Sequence, residues 1–252
     1  MLAKRIIPTI LTRGRTLVKG VAFDSWRSVG HTGQAVKIHG MRGVDELVML
    51  DIGATPENRG PDTELVRELT GACFMPMAVG GGITTMEQIQ ALLDAGADKV
   101  VLCTAVFTSS LLEAAAARYG NQAMVASVDV RAGKVWSHAG KQGWPIGPRT
   151  HAMLCEEWGA GEIILNAMDR EGTMTGYDLD LINDVASRVR IPVVASCGAG
   201  TYEHMRQAID AGADAVAAGA MFLFTDATPA GAADYLQEHG VEVRKSDTSP
   251  NC

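Results

Sequence analysis

Two aspartates end short apolar runs. Asp129 closes Ala123–Val130 and Asp51 lies in Glu46–Ile52. A carboxylate held at the end of a buried strand can serve as a general acid or base. At Asp51 the same residue type also suits a cap on the following helix or a pairing with a lysine. Gly80-Gly81-Gly82 ends another run and leads into Thr84-Thr85. Glycines let backbone N–H groups approach an anion, and a helix start favours its charge. Thr104 adds a hydroxyl. A second set follows later, with Gly172-Thr173, then Ser196-Cys197-Gly198-Ala199-Gly200, then Gly219-Ala220. Such glycines also make tight turns. Their recurrence at equivalent places predicts two phosphate sites. One takes Gly81, Gly82 and Thr104. The other takes Gly172, Thr173, Gly198, Ala199, Gly219 and Ala220. Four charges stand at the starts of the runs instead: Arg5, Glu46, Lys99 and Glu162. Two of each sign at one end suit a ring of ion pairs or a solvated rim.

The elements that position these residues come from a repeat. Gly80–Val106 recurs as Ser196–Phe222, offset by 116 residues without a gap, so that Gly82 matches Gly198 and Asp98 matches Asp214. Gly43–Leu50 matches Gly159–Asn166 at the same offset, and Leu11–Gly20 lines up with Asp129–His138. An echo of this length indicates two halves of like structure. Strands are predicted at Arg5–Leu11, Glu46–Ile52, Met75–Val79, Lys99–Thr104, Ala123–Val130, Glu162–Met168, Pro192–Ser196 and Ala215–Gly219. They are near-continuous apolar runs, as in strands buried on both faces. Helices are predicted between and after them, at Gly33–Met41, Asp62–Leu69, Thr85–Asp94, Ser109–Tyr119, Thr150–Trp158, Asp178–Arg188, Tyr202–Asp210 and Pro229–His239. Thr84/Thr85 with Glu87, and Thr201 with Glu203, carry capping chemistry. Gly96 and Gly212 fit helix C-termini. Eight βα units predict one (β/α)8 barrel over residues 1–252. Its half-barrels cover about 1–120 and 121–241, and a frayed tail covers 242–252. Pro8 removes a ladder donor, so the first strand is expected to bulge there.

The 252 residues are 47% hydrophobic but only 5% aromatic, which suits an aliphatic α/β core. A net charge of −7 speaks against nucleic acid as partner. The five cysteines show no CxxC pair and read as reduced, cytoplasmic thiols. No apolar run is long enough to span a membrane. The six histidines show no metal-ligand spacing, and no metal or cofactor is expected. No cysteine sits at a nucleophile elbow, so any glutamine hydrolysis needs a second chain.

MLAKRII at the start, LVKG at 17–20, VDELVMLDI at 44–52, VGGGI at 79–83, GADKV at 96–100, GAGEI at 159–163 and GTMTGYD at 172–178 carry a resemblance over nearly the full length. The chain resembles the cyclase subunit of imidazole glycerol phosphate synthase. That family takes ammonia from a glutaminase docked on the barrel's bottom face. It delivers the ammonia to a bisphosphorylated ribulosyl-imidazole-carboxamide ribotide. The resemblance implies an ammonia gate at Arg5, Glu46, Lys99 and Glu162, and a partner interface near Asp98. It implies a loop lysine at Lys19, a catalytic Asp129, and the phosphate sites already named. The other catalytic aspartate falls on Leu11, which cannot carry a proton, leaving Asp51 as the visible substitute. Smaller departures are Cys103, Glu171, Cys197 and Ala220. FDSWRSVG at 23–30 and AVKI at 35–38 resemble a paralogous branch of surface-polysaccharide pathways, thought to feed ammonia to an amidine-forming enzyme. The expectation is therefore ammonia delivery to a phosphorylated acceptor in amidine formation on such a sugar. The alternatives are the histidine-biosynthetic cyclase itself, or a non-catalytic subunit that activates the glutaminase.

Overall fold

The computed structural model describes residues 3–72, 75–107 and 110–244. Its strands are β1 (Arg5–Arg13), β2 (Thr16–Val21), β3 (Asp24–His31), β4 (Leu47–Asp51), β5 (Met77–Gly80), β6 (Lys99–Leu102), β7 (Met124–Arg131), β8 (Lys134–Ser137), β9 (Gln142–Trp144), β10 (Glu162–Ala167), β11 (Val193–Ser196) and β12 (Ala215–Ala218). Eight of these pair in parallel in the order β1-β4-β5-β6-β7-β10-β11-β12, and β12 returns to β1. The sheet is a closed (β/α)8 barrel, and every predicted strand is present. Closure removes the unpaired edges that an open sheet leaves.

The helices are α1 (Thr32–Met41), α2 (Thr63–Ala72), α3 (Met86–Asp94), α4 (Leu111–Tyr119), α5 (Pro148–Glu157), α6 (Leu179–Ala186), α7 (Tyr202–Asp210), α8 (Ala220–Phe224) and α9 (Pro229–Glu238). All but the short α8 were expected. Leu65, Leu69, Ile89, Leu92, Met205 and Ala208 face inward and bury the helices against the strands. Thr85 and Thr201 both cap their helices, accepting from Gln88 N and His204 N. The capping-box partner of Thr85 is Gln88 rather than Glu87, because Gln88 occupies the third helical position. Asp98 and Asp214 make equivalent bonds, accepting from Met77 N and Val193 N.

Two expectations are corrected. β1 runs through Pro8 without a bulge, in register with β12 up to Pro8↔Ala218 and with β4 from Thr9↔Val48. The missing donor falls where one ladder stops and the other starts. The tail is pinned over 242–244, since Lys4 N donates to Glu242 O at 2.8 Å and Val243 is buried. The rest of the tail, 245–252, lies outside the described residues, as do Cys73 and Cys252.

Two antiparallel hairpins were not expected. β2 and β3 extend from β1, and β8 and β9 extend from β7. The turn between β2 and β3 is Ala22-Phe23, with φ +50 and +61. Two left-handed residues suit a hairpin turn, but neither is glycine, so this tip holds strain. Docking holds it in place. Ala22 N donates to Glu171 O at 2.9 Å, and Arg131 Nη2 donates to Ala22 O at 2.8 Å. The hairpin thereby lies as a strap across the barrel mouth.

Candidate active site

Side chains pointing into the barrel form three levels, because strand residues alternate faces. The lowest is a ring of four charges. Arg5 bonds Glu46 at 2.5 Å and Glu162 at 3.2 Å, while Lys99 bonds Glu46 at 2.6 Å and Glu162 at 2.9 Å. The carboxylates are only 7% and 8% exposed, so this is a closed ring and not a solvated rim. Asp98 is exposed on the same face. Above the ring is an apolar level that includes Ile7, Val48, Ala78, Val101, Val125, Ile164 and Val194. Above that opens a cavity of about 450 Å³ at the carboxyl ends of the strands.

Asp129 stands in the cavity wall, 6% exposed. Asn166 Nδ2 donates to its Oδ1 at 2.8 Å, Ser127 Oγ at 3.0 Å, and Cys103 Sγ to its Oδ2 at 3.5 Å. Burial raises its pKa, and these three donors only partly oppose that. A carboxyl that holds its proton more tightly than usual suits acid–base work near neutral pH. Burial also raises the thiols of Cys103 and Cys197 well above their ordinary range, so both stay protonated.

Leu11 faces the same cavity and pairs in register with Leu50. Asp129 pairs in register with Asn166. In the sequence repeat, Leu11 aligns with Asp129 and Leu50 with Asn166. One side of the mouth is therefore polar where the equivalent side is apolar. Asp51 lines the cavity but is clamped. Arg59 Nη1 meets its Oδ2 at 2.7 Å, and Gly53 N donates to its Oδ1 at 3.0 Å. Of the two readings of Asp51, the structure shows the pairing, with arginine rather than lysine as the partner.

Gly81, Gly82 and Thr104 line one side of the cavity, and Gly172, Gly198, Ala199, Gly219 and Ala220 line the other. Gly82 and Gly198 adopt φ +70 and +102, and a Cβ on either would strike main-chain oxygen, of Arg59 and Gly176 respectively. Only glycine fits, and it leaves main chain at the wall. Thr104 Oγ1 accepts from His138 N at 3.0 Å. Thr173 is not in the wall, because its hydroxyl turns to Arg170 O and Thr175. Cys197 holds φ +76 within the second glycine set, a left-handed conformation that is costly for cysteine.

Lys19 sits in β2, 3% exposed, and reaches the cavity through the strap to pair with Glu171 at 2.9 Å. Ser127 and Asn166 were not named as site residues, and Glu171 was named only as a departure from the family pattern. Ser127 was detectable as the residue two before Asp129, on the same strand face. Asn166 was detectable as a polar strand end.

The histidine biosynthesis protein family matches residues 5–228. The chain belongs to this family. Imidazole glycerol phosphate synthase subunit HisF from Streptomyces coelicolor is 41% identical over 96% of this chain and 99% of its own. The HisF subunits of Chlorobium limicola and Thermobifida fusca are 40% and 39% identical, covering 97% and 96% of this chain and 100% and 99% of theirs. The protein is thus a HisF-like member of the family. These relatives carry the name of the histidine-pathway synthase, and none supports the polysaccharide reading. Among the described residues, no helix is long and apolar enough to cross a membrane.

Proposed function

We propose that the chain is the ammonia-using cyclase subunit of an imidazole glycerol phosphate synthase. A glutaminase partner docks on the face that carries the ring and Asp98. Ammonia passes the ring of Arg5, Glu46, Lys99 and Glu162 and crosses the apolar level as the neutral molecule, since ammonium would lose its hydration there. It meets an acceptor held by its two phosphates on the two glycine sets. Asp129 supplies the acid–base group. The observation that carries this reading is the stack itself: a buried charge ring, an apolar level, and a two-sided cavity with a carboxyl whose pKa is raised. Leu11 favours a second reading, amination of a phosphorylated acceptor without imidazole closure, as in amidine formation on a surface-polysaccharide sugar.

The test uses the chain alone with the ribulosyl-imidazole-carboxamide bisphosphate and excess ammonium salt at alkaline pH, so that no glutaminase is needed. Turnover that is lost in Asp129→Asn supports the first reading. No turnover, with partial recovery in Leu11→Asp, supports the second. Ligand binding without turnover in either chain, together with stimulation of the glutaminase, leaves a non-catalytic activator.

A further inference from the structure

The wall opposite Asp129 lacks a proton carrier at Leu11, yet charged groups reach it by another route. Lys19 descends from the strap. A Cβ on Gly219 would collide with both Lys19 Nζ and Thr9 O, so the ammonium lies between β12 and β1, beside the strand that bears Leu11. Its partner Glu171 lines the same cavity and is buried. The strap holds Glu171 twice, through Ala22 N on its main-chain oxygen and Lys19 Nζ on its carboxylate. Thr9 Oγ1 is a buried hydroxyl on the same cavity wall with no hydrogen-bond partner among the described residues. Thr9 is the β1 residue directly above Ile7 of the apolar level, one of several polar residues at that height, with Ser127 above Val125, Asn166 above Ile164 and Ser196 above Val194. A buried ion pair costs desolvation that its mutual attraction must offset, and the Thr9 hydroxyl on the same wall is open to a polar partner.

We propose that Glu171, aimed by Lys19, is the second proton-transfer group of this site and takes the role that Leu11 cannot. This deepens the proposed amination and rests on it. Ammonia, hydrogen-bonded to Thr9, adds its lone pair to the carbonyl carbon of the ribulosyl chain. The C=O π pair moves onto oxygen, which takes the proton from the Asp129 carboxylic acid. The new C–N bond leaves a cationic nitrogen, and one of its protons passes to the Glu171 carboxylate. The neutral carbinolamine then expels its hydroxyl, which leaves as water with the Glu171 proton. The iminium nitrogen returns a proton to Asp129, so both carboxyls are restored.

The experiment measures ammonium-driven turnover of the bisphosphate by the full chain across pH. Glu171→Gln is expected to lower kcat by about 100-fold or more, the usual contribution of a positioned acid or base. KM should stay within about threefold and one limb of the pH profile should vanish. Adding Leu11→Asp to Glu171→Gln should restore at least tenfold. Glu171→Gln leaves Lys19 buried without its partner, so the Lys19→Met, Glu171→Gln double variant, which removes both charges, serves as a folded control and should be equally slow. The assignment is overturned if both variants keep kcat within threefold of wild type, or if only KM rises. It is also overturned if both pH limbs survive. Absence of turnover by the wild-type chain overturns the amination reading, and the role of Glu171 with it.

Discussion

Lys99→Met tests the charge ring. Lys99 Nζ lies 2.6 Å from Glu46 and 2.9 Å from Glu162. At an effective dielectric of about 20, each contact is worth about 6 kcal/mol before desolvation. Desolvation cancels much of that, and breaking one partner out of a buried pair costs about 3–5 kcal/mol. Lys99 is 21% exposed and Arg5 still bridges both carboxylates, which reduces the expected loss to about 2–3 kcal/mol. For a chain of this length that lowers Tm by roughly 4–12 °C. Differential scanning calorimetry at pH 7.5 reads it. The Glu46→Gln, Lys99→Met double variant removes one charge of each sign and should recover at least half of the loss. A Tm change under about 2 °C refutes the view that the four groups act as one buried cluster.

Other expectations follow from particular contacts. Gly82→Val forces a β-branched residue to φ +70 against Arg59 O and should cost about 3 kcal/mol; calorimetry reads the loss, and titration with the bisphosphate should show weakened binding. Asp129→Asn removes a carboxyl whose folded pKa is raised by burial. Such a group contributes stability below the unfolded carboxylate range and loses it as pH rises. The variant should therefore melt above wild type at neutral pH, by a margin that grows from pH 4 to 7, while turnover disappears. His151 is buried and its pKa is lowered from 6.5 to about 4. Its contribution is complete above pH 6.5 and is lost as pH falls towards 4, by at most about 3 kcal/mol. His151→Phe should flatten that part of the stability–pH curve measured by urea unfolding.

What was legible in the sequence depended on periodicity. The barrel strands were readable because both of their faces are buried, which leaves apolar runs such as Glu162–Ala167. The hairpins were not, because β3 is mostly exposed and its pattern carries no burial signal. Its position is set by docking to Glu171 and Arg131, far along the chain. The four-charge ring was readable as composition at strand starts, but the choice between ring and rim needed burial. Arg59, the partner of Asp51, was not legible because it comes from an irregular loop. The Lys19–Glu171 pair spans 152 residues and has no local signature. Leu11 was the opposite case, since the repeat set it beside Asp129 and made an absent carboxylate visible.

The claim that ammonia travels through the barrel has one direct test. The chain is combined with its glutaminase partner and supplied with amide-15N glutamine, the bisphosphate, and an excess of unlabelled ammonium at pH 7. The account predicts that the aminated product keeps most of the 15N. It also predicts that Val48→Trp, which fills the apolar level above the ring, leaves glutamine hydrolysis running while the product takes its nitrogen from the bulk. Equal dilution of the label in wild type and variant would contradict it, because ammonia would then reach Asp129 from solvent rather than through the ring.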